Sequence, residues 1–175
     1  MRRRIGKRQV ILSVVALLLV ILLGWRFCPH SFEKVISTGL GAITSLACTA
    51  TIAGVENNGT AFIHSYKLQS LTEEDENFDA IMQILGASKY RQDFRNLLPW
   101  ELTSVGSDGT HDGKSVNILL VWGNAENENC YLTFHSDSVV VVSVGNDGGL
   151  LIYHPTNDKV LDKLVDYIQT HGNAN

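Results

Sequence analysis

The sequence predicts an α+β fold, in which an N-terminal transmembrane helix precedes one antiparallel β-sheet domain with helices packed on one face. A strongly apolar stretch near the N-terminus predicts the transmembrane helix. Several later segments alternate apolar and polar residues, which is typical of strands with one buried face. Other segments repeat apolar residues every three or four positions, as amphipathic helices do. The order of two strands, a helical region, further strands and a final helix favours an α+β arrangement.

The apolar stretch runs from Val10 to Leu23 and is extended by Trp25 and Phe27. At about 1.5 Å per helical residue, the distance from Val10 to Phe27 is roughly 27 Å, close to the hydrocarbon thickness of about 30 Å. It is preceded by a basic cluster of Arg2, Arg3, Arg4, Lys7 and Arg8. Because such clusters stay on the cytoplasmic side, we expect the N-terminus inside the cell and the remaining chain outside.

The residues that follow the apolar stretch favour an anchor that is retained. A cleavable signal peptide needs small residues at its cleavage site, whereas the stretch from Gly24 to Pro29 is bulky and charged. A lipoprotein signal needs small residues before its cysteine, but Arg26 and Phe27 precede Cys28. We therefore predict an uncleaved signal anchor, with cleaved export and lipid attachment as the alternatives.

The charge distribution excludes some classes of partner. Six of the 14 Lys and Arg residues flank the apolar stretch, while all 18 Asp and Glu residues follow it. The region outside the membrane thus has eight basic against 18 acidic residues. An acidic surface argues against nucleic-acid binding, which needs a basic footprint, and against lying flat on an anionic lipid surface. We expect a neutral or cationic partner.

The chain after the anchor is long enough for one compact domain and too short for two. The sequence predicts these segments: residues 1–8, a basic cytoplasmic tail; 9–27, the transmembrane signal anchor; 28–41, a juxtamembrane linker; 42–172, an extracytoplasmic α+β domain; and 173–175, a tail.

The first predicted strands form a hairpin. Residues Ala42–Val55 alternate in polarity, which predicts a strand. Glu56–Gly59 contains an Asn-Gly step, which favours the positive φ angles of a tight hairpin turn. Thr60–Gln69 then predicts the second strand. Asn58-Gly59-Thr60 also matches a glycosylation acceptor, although the turn already explains these residues.

Two helices are predicted next. Thr72, followed by the acidic residues Glu73, Glu74 and Asp75, is typical of a helix N-terminus, and Gly86 stops or kinks this helix. Its apolar face comprises Phe78, Ile81, Met82 and Leu85. A second helix is predicted over Ser88–Leu98, because Pro99 disfavours helical backbone in the residue before it. Its inward side chains are predicted to be Tyr90, Phe94 and Leu97.

The remaining chain predicts a meander and a last helix. The predicted strands are Trp100–Val105, Val116–Trp122, Cys130–His135, Ser138–Val144 (buried on both faces) and Leu150–Pro155, with a turn over Ser107–Ser115. The last helix is capped near Thr156 or Asn157 and ends before Gly172. Its apolar stripe consists of Val160, Leu161, Leu164, Val165 and Ile168.

The cysteines and histidines give no catalytic or metal-binding motif. Cys48 and Cys130 lie on apolar strand faces, so they form either a disulfide or two buried thiols. His64 lies on a predicted core face and His135 on a predicted surface face. The six histidines show no ligand spacing, and zinc needs three or four converging ligands. We predict no catalytic residue, metal site or cofactor.

Two acidic segments are weaker candidates for a site. The loop Ser107–Ser115 is rich in Gly and Asp, as cation-binding loops are, but it lacks the acidic positions of an EF-hand. The run Glu73–Glu76 is explained by helix capping. Neither a Gly-x-Ser-x-Gly elbow nor a Ser-x-x-Lys motif is present in the sequence.

From Ile43 to Ile168 the chain resembles small membrane-anchored extracytoplasmic proteins of clostridia-like Gram-positive bacteria. The resemblance is carried by the hairpin, FDAIMQILGASKYRQDFRNLLP, VNILLVWG, CYLTFHSDSVVVVSV, LLIYHP and the terminal helix. It implies location and fold, and it assigns no active-site residue.

Two functional hypotheses follow from the sequence. The first is a single-pass cell-membrane protein whose outward-facing domain presents a sheet face or edge to an envelope protein or small ligand. The alternative is a small envelope enzyme or inhibitor with a site in the acidic loops. A cleft with perturbed titratable groups would favour the enzyme. An exposed patch or open strand edge would favour the binding domain.

Overall fold

A computed structural model describes residues 7–36, 43–97, 113–122, 129–136, 139–144 and 149–174. These residues form one large antiparallel sheet and four helices, which confirms the α+β class. The helices are α1 (Lys7–Arg26), α2 (Phe32–Ile36), α3 (Glu76–Gly86) and α4 (Val160–His171), with a 3-10 turn at Phe94–Leu97. The strands are β1 (His30–Ser31), β2 (Ile43–Val55), β3 (Ala61–Thr72), β4 (Lys89–Gln92), β5 (Lys114–Trp122), β6 (Asn129–Ser136), β7 (Val139–Val144), β8 (Leu150–Pro155) and β9 (Asn173–Ala174).

The nine described strands are arranged in the order β1-β4-β8-β7-β6-β5-β2-β3-β9, and neighbouring strands are antiparallel. β2 and β3 are joined by the predicted hairpin turn, in which Gly59 has φ +84°. This backbone conformation strains any residue with a Cβ atom. The Asn58 side chain closes the turn, because its Oδ1 accepts the Thr60 amide at 2.7 Å.

The core lies on one face of the central strands, where alternate side chains are buried. Those side chains are Leu46, Cys48 and Ala50 of β2, Val116, Ile118 and Leu120 of β5, Cys130, Leu132 and Phe134 of β6, and Val140 and Val142 of β7. The predicted stripe of α4 is buried in the same cluster, and α4 contacts β2, β3 and β5. Complete burial of each large aliphatic side chain contributes about 1.5–3 kcal/mol.

The helix predicted from Thr72 begins later than expected, at Glu76. Thr72 is the last residue of β3, and its carbonyl accepts the Asp75 amide at 2.9 Å. The acidic residues between them therefore form a turn before the helix, so the prediction of a Thr72 cap is wrong. α3 ends at Gly86 as predicted, and its buried residues are Phe78, Ile81 and Leu85.

The helix predicted over Ser88–Leu98 is wrong. Lys89–Gln92 forms β4, which pairs with β1 and β8, and the 3-10 turn follows it. Tyr90 is buried as predicted, and its hydroxyl donates to the Leu85 carbonyl at 2.9 Å. Phe94 and Leu97 were predicted to point inward, but they are 64% and 45% exposed. Backbone pairing at the sheet edge outweighs the weak helical preference of this segment.

Residues 30–36, which the sequence places in the juxtamembrane linker, form β1 and α2. Phe32, Val35 and Ile36 of α2 are buried in the core cluster. β1 adds to the sheet edge through the pair His30 and Tyr90. The sheet therefore begins only a few residues after the apolar helix ends.

Other predictions have mixed outcomes. β5, β6 and β8 are confirmed close to their predicted bounds. α4 is confirmed and ends before Gly172 as predicted, but it begins at Val160 with Lys159 at its N-cap, so the predicted cap at Thr156 or Asn157 is wrong. β7 is not buried on both faces, because Val140 and Val142 are buried while Val139 and Val141 are only half-buried. The predicted strand Trp100–Val105 and residues 107–112 of the predicted turn lie outside the described residues.

α1 is long and apolar enough to cross a membrane. It has 20 residues, which corresponds to roughly 30 Å of helix, and none of them is buried. Among the described residues, no side chain of α1 is buried in the core, whereas α3 and α4 each bury an apolar face.

The central position of α4 in the core predicts a large effect of truncating Leu164, which is fully buried. We expect Leu164→Ala to lower the free energy of unfolding by about 2–5 kcal/mol, through lost burial and the cavity left behind. Urea unfolding of the full chain in detergent micelles, followed by tryptophan fluorescence, measures this change.

The matched control is Lys163→Ala, one position away on the exposed side of α4. It should change the free energy of unfolding by about 0.5 kcal/mol or less. Equal effects of the two variants would show that α4 does not pack on the sheet as described.

Candidate functional site

A groove of about 320 Å³ crosses the face of the sheet on which side chains are less buried. We call it the sheet groove, and its lining side chains on this face are Ala47, Thr49, Lys67, Gln69, Asn117, Leu119, Tyr131 and Thr133. These residues belong to β2, β3, β5 and β6, so four adjacent strands build it. Its volume is at the lower end of the range of small-ligand sites.

The strand register aligns hydrogen-bonding side chains across the floor of the sheet groove. Thr49 lies opposite Lys67 on one side and opposite Asn117 on the other, and Asn117 lies opposite Thr133. Residues paired directly across strands share a face of the sheet. The result is a continuous polar row over four strands.

The neighbouring row of the sheet groove is more apolar. Ala47 lies opposite Leu119, and Leu119 lies opposite Tyr131. The side chain of Ala47 is small, and the Tyr131 ring on β6 is 51% exposed. An aromatic ring beside amide and hydroxyl groups is a common recognition surface, because it offers contact area together with hydrogen bonds.

The chemistry of the sheet groove favours recognition over catalysis. Its lining carries neither a carboxyl group nor an imidazole in the part of the chain that the structure describes. Lys67 is half-buried and forms no ion pair with another described residue. The groove therefore offers one cation, several neutral hydrogen-bonding groups and one ring to a ligand.

A second feature is a polar cluster around Asp93, which joins β4, β8 and the 3-10 turn. The Asp93 Oδ2 atom accepts from Arg95 Nη2 at 2.9 Å and from His154 Nε2 at 2.6 Å. Its Oδ1 atom accepts the Arg95 amide at 2.7 Å. Because Asp93 is only 6% exposed, these donors replace the water that the carboxylate loses.

The cluster also supports the backbone of β8. Asn96 Nδ2 donates to the Ile152 carbonyl, and the Ile152 amide donates to Asn96 Oδ1, both at 2.8 Å. The Asp93 amide donates to the same Ile152 carbonyl at 2.9 Å. The Asn96 side chain thus takes the place of a neighbouring strand, and Ile152 is buried beneath it.

The surroundings of Asp93 stabilise its ionised carboxylate. Burial alone would raise the pKa of its carboxyl group, but the hydrogen bonds from Arg95 and His154 and the nearby guanidinium charge hold the pKa well below its ordinary value. Both carboxylate oxygens are occupied by donors within the protein. We interpret the cluster as a structural clamp between the turn and the sheet. Sequence reasoning missed this cluster, because Asp93 and His154 are 61 residues apart.

The two strand cysteines are free thiols, so the structure contains no Cys48–Cys130 disulfide. Burial raises the pKa of each thiol to about 12; for Cys48 the effect is partly offset by a backbone hydrogen bond from Leu68. A protonated thiol is a poor nucleophile and a poor metal ligand. Both cysteines therefore act as small apolar core residues.

Of the two predicted histidine positions, one is confirmed and one is wrong. His135 is exposed, as predicted. His64 is also exposed and lies 5.1 Å from the Phe62 ring between ring centres, so its assignment to the core face is wrong. Within the described ranges, no three His, Cys, Asp or Glu side chains are grouped as a metal site would need.

The two acidic segments of the alternative hypothesis are not brought together. Glu73–Glu76 forms the turn that leads into α3, and three of its four residues are exposed. Most of Ser107–Ser115 lies outside the described residues. Its last two residues, Lys114 and Ser115, begin β5.

No protein-family model and no curated protein matches this chain. The functional argument therefore depends on the geometry of the sheet groove and of the apolar helix.

The Asp93 clamp predicts a pH-dependent contribution to stability. We expect Asp93→Asn to lower the free energy of unfolding by about 1.5–3 kcal/mol at pH 7, because charge-assisted hydrogen bonds are lost. The pKa of the Asp93 carboxyl group is lower in the folded state than in the unfolded state. The extra stability of the wild type over Asp93→Asn is therefore complete above the ordinary Asp pKa of about 3.9 and decreases below it. Urea unfolding of both proteins between neutral and acidic pH measures the difference.

Asp158→Asn is the control, because Asp158 is exposed. This variant should follow the wild type at each pH. If the difference in the free energy of unfolding between Asp93→Asn and the wild type stayed constant as the pH fell, the stabilising role of the ionised Asp93 carboxylate would be wrong.

Proposed function

We propose that this protein is a single-pass cell-membrane protein whose domain outside the cell binds an envelope protein or a small ligand through the sheet groove. The observation that carries the proposal is the groove itself, with its polar row from Lys67 to Thr133 and its exposed Tyr131 ring. The N-terminus lies in the cytoplasm in this proposal, and the C-terminal domain has an accessory role at the envelope.

The arrangement of the helices supports this use of the sheet. In the proposal, α2, α3 and α4 all pack on the face opposite the groove. α4 contacts β2, β3 and β5, α3 contacts α4 and β3, and α2 contacts α3 and β4. None of these three helices then covers the groove face, and a partner can reach the described side chains of its central strands.

The anchor is supported by the length and apolarity of α1 and by the basic residues before it. Lys7 and Arg8 occupy the first turn of α1, and the positive-inside rule places them in the cytoplasm. The sheet begins only four residues after Arg26, so the domain is held close to the membrane. We place the chain among the membrane-anchored extracytoplasmic proteins of Gram-positive bacteria that it resembles.

The alternative is an envelope enzyme or inhibitor with a site in the acidic loops. The described carboxyl group with a strongly lowered pKa is Asp93, which lies outside both loops and is fully engaged by Arg95 and His154. The sheet groove is therefore the better-supported site.

Photocrosslinking from the sheet groove tests the proposed binding function. A p-benzoylphenylalanine introduced at Tyr131 should yield one discrete crosslinked species in native membranes, because an occupied groove places the partner at that ring. Adding Asn117→Trp, which fills the groove, should remove the species. Denaturing gels and mass spectrometry detect it.

The same probe at Ile63, which is 72% exposed on β3, is the control and should give no such species. Equal crosslinking at both positions, or a species that survives Asn117→Trp, would contradict binding in the sheet groove.

The proposed topology makes Cys28 a natural reporter, because it is exposed just after α1 while Cys48 and Cys130 are buried. We expect a membrane-impermeant maleimide added outside intact spheroplasts to label Cys28 and leave the two buried thiols unlabelled. The protein should also resist extraction from membranes at alkaline pH. Mass spectrometry of tryptic peptides identifies the labelled residue.

Labelling of Cys28 only after the membrane is permeabilised would place Cys28 on the cytoplasmic side and contradict the proposed topology. Release at alkaline pH, or a mature chain that begins after α1, would contradict the anchor.

A further inference from the structure

A cleft of about 530 Å³ separates α1 from the membrane-proximal end of the domain. We call it the juxtamembrane cleft. One wall is a stripe of α1 that contains Leu19, Leu22 and Leu23, and the opposite wall includes Leu97 of the 3-10 turn. Arg26 and Lys34 lie at its polar end.

The apolar part of the juxtamembrane cleft is left open by the residues that the structure describes. One face of α1 carries four of the residues that line the cleft, because their spacing is i, i+3, i+4 and i+7: Leu19, Leu22, Leu23 and Arg26. The three leucines are 46–59% exposed, and Leu97 opposite them is 45% exposed. Four apolar side chains thus face an open space.

The polar part combines two cations. Arg26 ends α1, and the Lys34 Nζ atom lies 5.3 Å from the centre of the Trp25 ring. Both are exposed, and neither forms an ion pair with another residue in the described ranges. Glu33 precedes Lys34 but does not line the cleft. The cleft is therefore basic, although the region outside the membrane is acidic as a whole.

The position of the cleft relative to a bilayer points to its occupant. Leu19 lies seven helical residues before Arg26, or roughly 10 Å along the axis. Each interfacial layer of a bilayer is about 5–8 Å thick, so leucines at this depth reach the hydrocarbon when Arg26 lies among the headgroups.

We infer that the juxtamembrane cleft binds one anionic phospholipid, with an acyl chain against the leucines and the phosphate at Arg26 and Lys34. The inference rests on the membrane anchorage in the proposed function. Bound lipid would fill the slot between α1 and the turn and fix the orientation of the domain on the membrane.

Native mass spectrometry of the full chain, released from nanodiscs with equal amounts of phosphatidylglycerol and phosphatidylcholine, tests the inference. We expect one retained phosphatidylglycerol per chain and little phosphatidylcholine. The double variant Arg26→Gln, Lys34→Gln should reduce retention by roughly tenfold or more, because each cation near an anionic lipid contributes roughly a fivefold factor in affinity. Leu97→Ser should also lower retention, through the acyl chain.

The matched controls are the double variant Lys159→Gln, Lys163→Gln, at the N-cap and on the exposed side of α4, and Leu150→Ser, whose leucine is 43% exposed on β8. They should retain lipid like the wild type. No retained lipid in the wild type, equal retention of the two lipids, or unchanged retention in the double variant would overturn the inference. If one of these results is obtained and the protein still resists alkaline extraction, the lipid inference is wrong and the membrane anchor remains supported. If alkaline pH extracts the protein, both the anchor and the lipid inference are wrong.

Discussion

The two-residue alternation of the central strands is the constraint on which the rest of the structure depends. In β2, β5, β6 and β7 it places apolar side chains on one face, and the stripe of α4 is buried in the same cluster through contacts with β2, β3 and β5. Burial of this interface supplies the main favourable free energy of a domain this small. α4 can pack on β2, β3 and β5 because this face of the sheet is apolar.

The same alternation determines the chemistry of the opposite face. Because Leu46, Cys48 and Ala50 point into the core, Ala47 and Thr49 must point to the other side. A shift of one residue in register would exchange the two sets. The polar row of the sheet groove is therefore a consequence of the pairing that forms the core, and the rigidity of the sheet keeps its side chains in place.

The end of the sheet formed by β8, β4 and β1 depends on a different interaction, the clamp around Asp93. Its hydrogen bonds, with those of Asn96, hold the 3-10 turn against β8. This contact places Leu97 opposite α1 and forms one wall of the juxtamembrane cleft. The clamp thus connects the stability of the sheet edge to the surface that the domain turns toward the membrane in our proposal.

The sequence by itself determined the apolar helix, through its continuous apolar stretch, and also the hairpin, the strands from β5 to β8 and the buried stripe of α4, through local polarity patterns and turn residues. The segment Lys89–Leu97 was mispredicted as a helix, since its pairing with β1 and β8 is invisible in local sequence. The sheet groove and the Asp93 clamp were also decided only by the tertiary structure. Both bring together residues that are far apart in the chain, and only strand register sets which side chains become neighbours.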